Sequence, residues 1–495
     1  MGKNFDKTTF DERDFRSFSQ RLNEQLILLK KILARPDFGV GPMTLGAEFE
    51  MYITDREGII SPINKKILNK LDTSRFQLEL NQFNLEYNVT PTLAAGASFS
   101  TLHREMKQAL ADANNAAGAY DSRLVPIGIL PTLHQEHLQS AYMTDIPRFH
   151  CLSNSLHKLR GKAFEVNING RDSLHLTSSD VTLEGANTSF QIHLRTEPDK
   201  FADTFNTIQL ITPLVVAMAA NSPLLLGRRL WQETRIALFK QSIDSRRRNS
   251  VAWRQPARVT FGHGWVRNDA WELFAETARL FPPIFPVLCE EDSKKLYQQG
   301  KLPCLEELCL HMGTTWPWNR AIYSASDGGH LRIEMRALPA GPSLIDMTAN
   351  AALYIGLAIG LRDRINDILP AMPFRFAEYN FYRAAQNGLE ARILWPEEKQ
   401  HHPVERPITK VIEALLPVMQ EGLNQIRVEK TLIQQMFTIL RDRLNARMTG
   451  ARWQLEMFEK YKKHLGTEEA CQAMLKNYIQ EQGRDRPVTE WSAAS

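Results

Sequence analysis

Four stretches of this chain alternate apolar and polar side chains with a period of two: GAEFEMYI (46–53), FQLELNQFNLEYNV (76–89), SFQIHLR (189–195) and LRIEMRAL (331–338). That period belongs to a strand with one buried face, so each stretch predicts a strand whose other face carries acids, amides or arginines. Elsewhere the period is helical. Phe15, Phe18, Leu22, Leu26, Leu29 and Leu33 share one helix face and lead into a turn between Gly39 and Pro42. Further helices are expected over Leu102–Tyr120, Lys200–Ala220 and Ala270–Leu280. Strands and helices mix irregularly and no repeat period appears, which predicts an α+β fold and excludes a solenoid or a regular βαβ array.

Past Pro342 the alternation stops. Ser343 to Asp367 is apolar at helical spacing, several more helices are expected between Ile408 and Gln482, and the polar tail from Gly483 reads as loose. The proline- and charge-bearing stretch from Trp395 to Pro407 is the best linker candidate. It divides the chain into residues 1–394 and a helical C-terminal layer, residues 395–495, packed on them.

Composition narrows the class without deciding it. At 495 residues, 43% hydrophobic and 23% charged, the chain is of ordinary globular make-up and can bury a large core. A net charge of +4 on that length gives no reason to expect nucleic acid or a membrane as partner. The cysteines, Cys151, Cys289, Cys304, Cys309 and Cys471, lack CxxC spacing and fit buried thiols in a reducing cytoplasm. The opening segment, MGKNFDKTTFDERDFRSF, has no apolar run of the signal-peptide kind, so a cytoplasmic location is expected. Ile211 to Leu226, the most apolar stretch, is broken by Pro213 and by Asn221-Ser222-Pro223 and reads as a core helix.

Candidate chemistry concentrates on the polar strand faces. Glu48 and Glu50 share a face, roughly 7 Å apart along a strand. Glu79 and Glu86 lie among Gln77, Asn81, Asn84 and Asn88 with no lysine between, and their odd offset requires a bend or bulge if both are to face one cavity. Carboxylates and amides without cations suit hard-metal coordination by oxygen. Ser189, Gln191, His193 and Arg195 fall in one phase, Gln191 offering a carbonyl oxygen and His193 a ring nitrogen to a metal or nucleotide. Arg332, Glu334 and Arg336 alternate, so that a carboxylate can hold a metal while guanidiniums contact phosphate. Taken singly, each stretch has a plainer account: a solvated sheet face, a structural hydrogen-bonding pair or an ion-pair ladder. Taken together, carboxylates facing one space repel unless cations sit among them, which points to a magnesium-nucleotide site.

Other features are weighed and set aside. Neither GxxxxGK[ST] nor GxGxxG occurs, so a nucleotide must be held by the sheet itself. His134 and His137 follow Pro131 and read as a loop or first turn rather than a metal pair. Arg246, Arg247, Arg248, Arg254 and Arg258 could contact phosphate but read as a solvated basic loop, and Trp316 and Trp318, near Arg320, read as core or as stacking walls of a substrate funnel.

In order along the chain, GAEFE, ELNQFNLEYNVTP, QIH, ANSPLLLGRRLWQETR, HMGTTWPWNR and HLRIEMRALPAGPS resemble the glutamate–cysteine ligases, above all the plant-type enzymes and their bacterial relatives, over about Leu45 to Leu361. The resemblance implies a glutamine-synthetase-like fold, in which a curved antiparallel sheet flanked by helices forms a funnel for ATP, glutamate and about two or three Mg2+ ions. By position it implies Glu48, Glu50, Glu79, Glu86, Gln191 and Glu334 as metal ligands, Arg336 as the catalytic arginine beside the transferring phosphate, and Arg235 of QETR as receiver of the amino acid carboxylate. His193 falls near the nucleotide, and Arg332 joins it from its place beside Glu334. Two departures are visible: many relatives carry His where Gln191 stands, and RALPAGPS replaces an aspartate often found after EMR. The implied activity is ATP-dependent joining of the γ-carboxyl of glutamate to cysteine through an acyl phosphate, by a monomer or homodimer acting on small molecules. A different amine acceptor such as a polyamine, a guanidino kinase that stops after phosphoryl transfer, and a silent nucleotide-binding protein on the same fold are the alternatives.

Overall fold

Seven of the strands form one antiparallel sheet in the computed structural model, which describes residues 9–246, 256–396 and 402–492. They are β1 (Thr44–Asp55), β2 (Phe76–Leu78), β3 (Asn84–Leu93), β4 (Ser122–Val125), β5 (Ser189–Thr196), β6 (Asn319–Ser324) and β7 (His330–Pro339). The order is β6-β7-β5-β1-β3-β2, and the sheet curls into a half-barrel. β1 is its pivot. One edge of β1 pairs with β3, while the other is shared between β5, along Leu45–Phe49, and β4, along Tyr52–Asp55.

All four alternating stretches lie in this sheet, with one change of geometry. The FQLELNQFNLEYNV stretch is two strands instead of one bent strand: β2 ends at Leu78, Asn84 N–H closes on the Asn81 carbonyl, and the chain returns as β3 alongside β2. A reversal therefore accommodates the odd offset between Glu79 and Glu86.

The apolar phase of the same strands builds the core. Leu45, Ala47, Phe49 and Met51 of β1, Phe190, Ile192 and Leu194 of β5, and Leu331, Ile333 and Met335 of β7 join one buried cluster with the helices Phe201–Ala219 and Leu344–Arg362. Both helices are mostly apolar and enclosed by protein, with their few polar side chains such as Asn206, Gln209 and Asp346 hydrogen-bonded inside the fold. By length and composition each could span a membrane, yet 89% and 94% of their most apolar windows are buried inside the fold.

Beyond the sheet come the helices Ile408–Gln425, Lys430–Ala446, Gly450–Lys462 and Thr467–Gly483. They are tightly joined to what precedes them. A Cβ on Gly422 would strike the Gly356 carbonyl, so the Ile408–Gln425 and Leu344–Arg362 backbones touch. Strands did not end at Pro342: Arg392–Trp395 and Val404–Pro407 pair antiparallel across the expected linker, of which residues 397–401 lie outside the described ones. The tail is also ordered further than its polarity suggests, because Val488 and Trp491 are buried, with Trp491 edge-on to Trp453 and Tyr478 at 5.0 and 5.2 Å. His134 precedes a short 3-10 turn over Gln135–His137, and Trp318 is core, against Phe239 and Phe381. Arg247, Arg248 and Arg254 lie outside the described residues.

A buried ion pair ties the layers. Arg443 Nη2 lies 2.6 Å from Asp346 Oδ1 with both side chains at most 1% exposed, and Arg443 Nη1 donates to Asn350 Oδ1 and the Met218 carbonyl. Asp346 also accepts from Ser343 Oγ and from the Val488 N–H of the tail. Removing one partner leaves the other charge buried and unpaired, so Arg443→Ala is expected to cost about 3–5 kcal/mol in urea unfolding. A loss below about 1 kcal/mol, the surface-pair range, would show that the C-terminal helices do not depend on this pair.

Candidate active site

Cross-strand register, not nearness in sequence, assembles the polar face. Glu48 stands opposite Asn88 on β3 and Gln191 on β5, and Glu50 stands opposite Glu86. His193 on β5 stands opposite Glu334 on β7, which in turn faces Arg320 on β6. Directly opposed residues project to the same side of an antiparallel pair. Five separated segments thus bring their polar phase to one surface.

One cluster there has the donor set of a cation site. His193 Nε2 lies 3.1 Å from Glu48 Oε1 and 3.8 Å from Glu334 Oε1, and ligand atoms of the three residues lie within 4.8 Å of one another. All three side chains are buried, and neither ring nitrogen of His193 has a hydrogen-bond partner of acceptable geometry. Buried polar atoms without partners are costly unless something binds them.

A second group gathers beside it. Glu50 accepts from Ser189 N (2.8 Å), Ser189 Oγ (2.7 Å) and Gln191 Nε2 (3.1 Å); burial pushes its carboxyl above the ordinary range against these donors. Burial and the neighbouring Glu50 push Glu79 up to about 7. Glu86 is raised well above its usual range by burial and then by Glu48 and Glu79. Such mutual elevation means that the protein supplies too little positive charge for all of them to ionise.

Glu334 is the exception. Burial opposes its ionisation, yet Arg320 and Arg336 hold it well below the usual carboxylate range. Arg320 grips it through Nε and Nη2 at 2.6 and 3.1 Å, and Arg336 Nη1 lies 3.2 Å away. The same Arg336 atom donates to Gln191 Oε1 at 2.5 Å, so Gln191 links Arg336 to Glu50. Arg332 flanks Glu334 on the same strand face, within its electrostatic reach, faces Arg195 across the β5–β7 ladder, and has an unpartnered Nε. Neither of these guanidiniums makes an ion pair among the described residues, which leaves a local positive surface suited to phosphate.

Arg235 stands at the start of the Thr234–Ser242 helix, buried, 3.3 Å from Glu233 Oε1 and from the Ala337 carbonyl. Its Nε is unpartnered, and its charge eases the ionisation of Glu50. The structure therefore brings Glu48, Glu50, Glu79, Glu86, Gln191, His193, Glu334 and Arg336 together, with Arg332 and Arg235 at the margins.

Sequence reasoning missed three neighbours. Arg320 lies on a strand, NRAIYS, whose alternation is too short to stand out. Glu184, which burial and then Glu79 and Glu50 raise to about 8, and Arg148, whose charge lies within electrostatic reach of Glu79 and Glu86, come from a turn and a helix without any strand phase.

These residues fit hard divalent cations: oxygen donors in excess, one imidazole, and carboxyls whose ionisation the protein alone does not balance. With that geometry in place, comparison with known proteins becomes specific. Residues 44–267 match the family model of glutamate-cysteine ligase family 2 (GCS2). The match contains every site residue from Glu48 to Arg235 but not the strands of Arg320 and Glu334. A glutamate–cysteine ligase from Francisella tularensis, solved in complex with AMP, is similar in structure at TM-score 0.54 and 12% identity over 91% of each chain. A bifunctional glutathione synthetase from Pasteurella multocida gives TM-score 0.49 and 11% identity over 92% of this chain and 54% of its own. No curated protein matches the chain. The first of these likenesses shows the fold, the curled glutamine-synthetase-like sheet anticipated from the sequence.

The raised carboxyls carry a sign for stability. A group whose folded-state pKa lies above its unfolded value leaves stability whole below the unfolded value and lowers it as pH rises to the folded one. Without metal, therefore, the melting temperature should fall between about pH 5 and pH 8, the window set by Glu79 near 7 and Glu184 near 8. Added Mg2+ should remove that fall, so the Mg2+-induced rise in melting temperature should grow with pH across the window. A rise independent of pH, measured by scanning calorimetry, would mean that Mg2+ does not bind these carboxyls.

Proposed function

We propose that this chain is an ATP-dependent carboxylate–amine ligase that joins the γ-carboxylate of glutamate to the amine of cysteine through an acyl phosphate. The supporting observation is the buried Glu48–His193–Glu334 cluster, with Arg336 both on Glu334 and on Gln191 beside Glu50. The family match over residues 44–267 supports the choice of substrates.

In this reading a carboxylate oxygen of glutamate attacks the γ-phosphorus of ATP, and ADP leaves. Arg336 stabilises the charge spread over the equatorial oxygens of the transferring group, a role worth most in a dry, low-dielectric site. The amine then attacks the acyl carbon and phosphate departs. Glu48, Glu50, Glu79, Glu86, Gln191 and Glu334 would hold Mg2+, which when bound neutralises the triphosphate. His193 and Arg332 take the nucleotide, with Arg195 beside them, and the free Nε of Arg235 faces the amino acid carboxylate. The chain's part is to position, to exclude water and to balance charge. All five cysteines are free, which supports a reducing cytoplasm, and a monomer or homodimer would serve.

Purified protein with Mg-ATP and glutamate, offered a panel of amines, is expected to release phosphate in proportion to γ-glutamyl amide, fastest with cysteine. A phosphorylated acceptor without amide would make it a kinase, and no turnover would make it silent. Arg336→Ala and Glu334→Gln should each lower kcat by about 10²-fold or more while circular dichroism stays native. Normal turnover in either variant would remove that residue from the mechanism.

A further inference from the structure

The aim of Arg336 is not fixed by the ladder of its own strand. β7 pairs with β5 as far as Met335 opposite Ile192 and resumes at Leu338 opposite Phe190, so Arg336 and Ala337 together face the single residue Gln191. Two residues against one make a bulge, and a bulge re-aims the side chains it carries. The direction of the guanidinium therefore depends on what it meets. It meets two acceptors, both through Nη1: Glu334 Oε1 at 3.2 Å and Gln191 Oε1 at 2.5 Å. Its Nε and Nη2 make no hydrogen bond with a described residue, so that edge stays open.

Gln191 is itself held. It is only 4% exposed, and its Nε2 donates to Glu50 Oε1 at 3.1 Å, while Glu50 accepts from Ser189 N at 2.8 Å and Ser189 Oγ at 2.7 Å. Only one orientation of the amide works, because turned over it would set its oxygen against a carboxylate and its NH2 against a guanidinium. Ser189 and Gln191 lie on one face of one strand, so the anchor and the side chain it steadies belong to the same rigid piece. The two acceptors of Arg336 also differ in kind. Glu334 is a charge that Arg320 shares, whereas the amide of Gln191 gives direction without cancelling any of the positive charge.

We propose that Gln191 is a positioning residue for Arg336: its carbonyl oxygen holds Nη1, so that the open edge with Nε and Nη2 is presented to the transferring phosphoryl group. The role rests on the ligase reading, in which Arg336 meets that group. It is separate from contact of Gln191 with Mg2+, because an amide oxygen has two lone pairs and the one on Nη1 acts through the arginine alone. Misplacing a positioned group by about 1 Å is enough to cost about 10²-fold in rate.

The test is a double-mutant cycle on the full chain with Mg-ATP, glutamate and cysteine, read as kcat and KM. Gln191→Met, of similar length and without a strong acceptor, is expected to lower kcat by about tenfold or more and to leave KM for glutamate within about twofold, the pattern of an interaction made in the transition state. Placed on Arg336→Ala it should cost less than about twofold more, because the residue it positions is gone. Gln191→Glu, which keeps an oxygen at the same reach, should turn over faster than Gln191→Met. An undiminished kcat in Gln191→Met, a full additional loss on Arg336→Ala, or a Gln191→Glu no faster than Gln191→Met overturns the positioning role. So does a defect that higher Mg2+ abolishes, since it assigns Gln191 to the metal alone. Wild type that forms no amide sinks the ligase reading and this role with it, whereas each of the other adverse results, in an active enzyme, removes this role and leaves that reading in place.

Discussion

The curled sheet carries more buried carboxylate than the protein's own cations balance, and the rest of the structure is arranged around that imbalance. Around Glu334 the account closes, because Arg320 and Arg336 hold it ionised despite full burial. Around Glu50, Glu79, Glu86 and Glu184 it does not: burial raises all four above the ordinary carboxylate range, and neighbouring carboxylates add to it at Glu79, Glu86 and Glu184. A surface divided in this way has a fixed charge reserve at one end and a demand for added cations at the other. That is the electrostatic form that the proposed reading, a site for a metal-bound polyanion, requires.

Such a surface needs a rigid back. The opposite face of the same strands meets two helices buried on all sides, so no polar phase has to be shared with solvent there. The loops that follow are locked in turn: Asn221 of the ANSP element donates to the Ala340 carbonyl and to Tyr478 Oη, and Gln454 donates to Asn221 Oδ1. Two C-terminal helices therefore hold the segments that lead into Arg235 and out of Arg336. Their contribution to the site is indirect, through the position of these loops, and it explains why a layer without strand chemistry is so closely packed.

Arg320 links the two sides of the architecture. One edge of its guanidinium fixes Glu334, and its remaining nitrogen reaches the Met312 and Thr315 carbonyls, so the charge that keeps a buried carboxylate ionised is tied to the segment that precedes β6. The family match ends at residue 267, short of both β6 and β7. Register alone carries these strands into the site, with His193 as the hinge between them and β1.

Much of the sheet was legible beforehand. Alternation located β1, β3, β5 and β7 and put Glu48, Glu50, Glu86, Gln191, His193, Glu334 and Arg336 on polar phases, because a side-chain period of two is a local property of an extended backbone. What alternation cannot reveal is which strands are neighbours. Hence spacing set Arg332 on the face of Glu334 but gave no sign of Arg320, which cross-strand pairing brings onto the same carboxylate; the turn between Glu79 and Glu86 read as a bend or bulge; and the polar tail hid the burial of Trp491. Arg148 and Glu184 had no local signature at all, since they reach the site from a helix and a turn. The amino-acid order by itself determined which groups could face a common space, and only the tertiary structure decided which of them do, because charge balance in a buried site depends on through-space neighbours that the chain brings together from far apart.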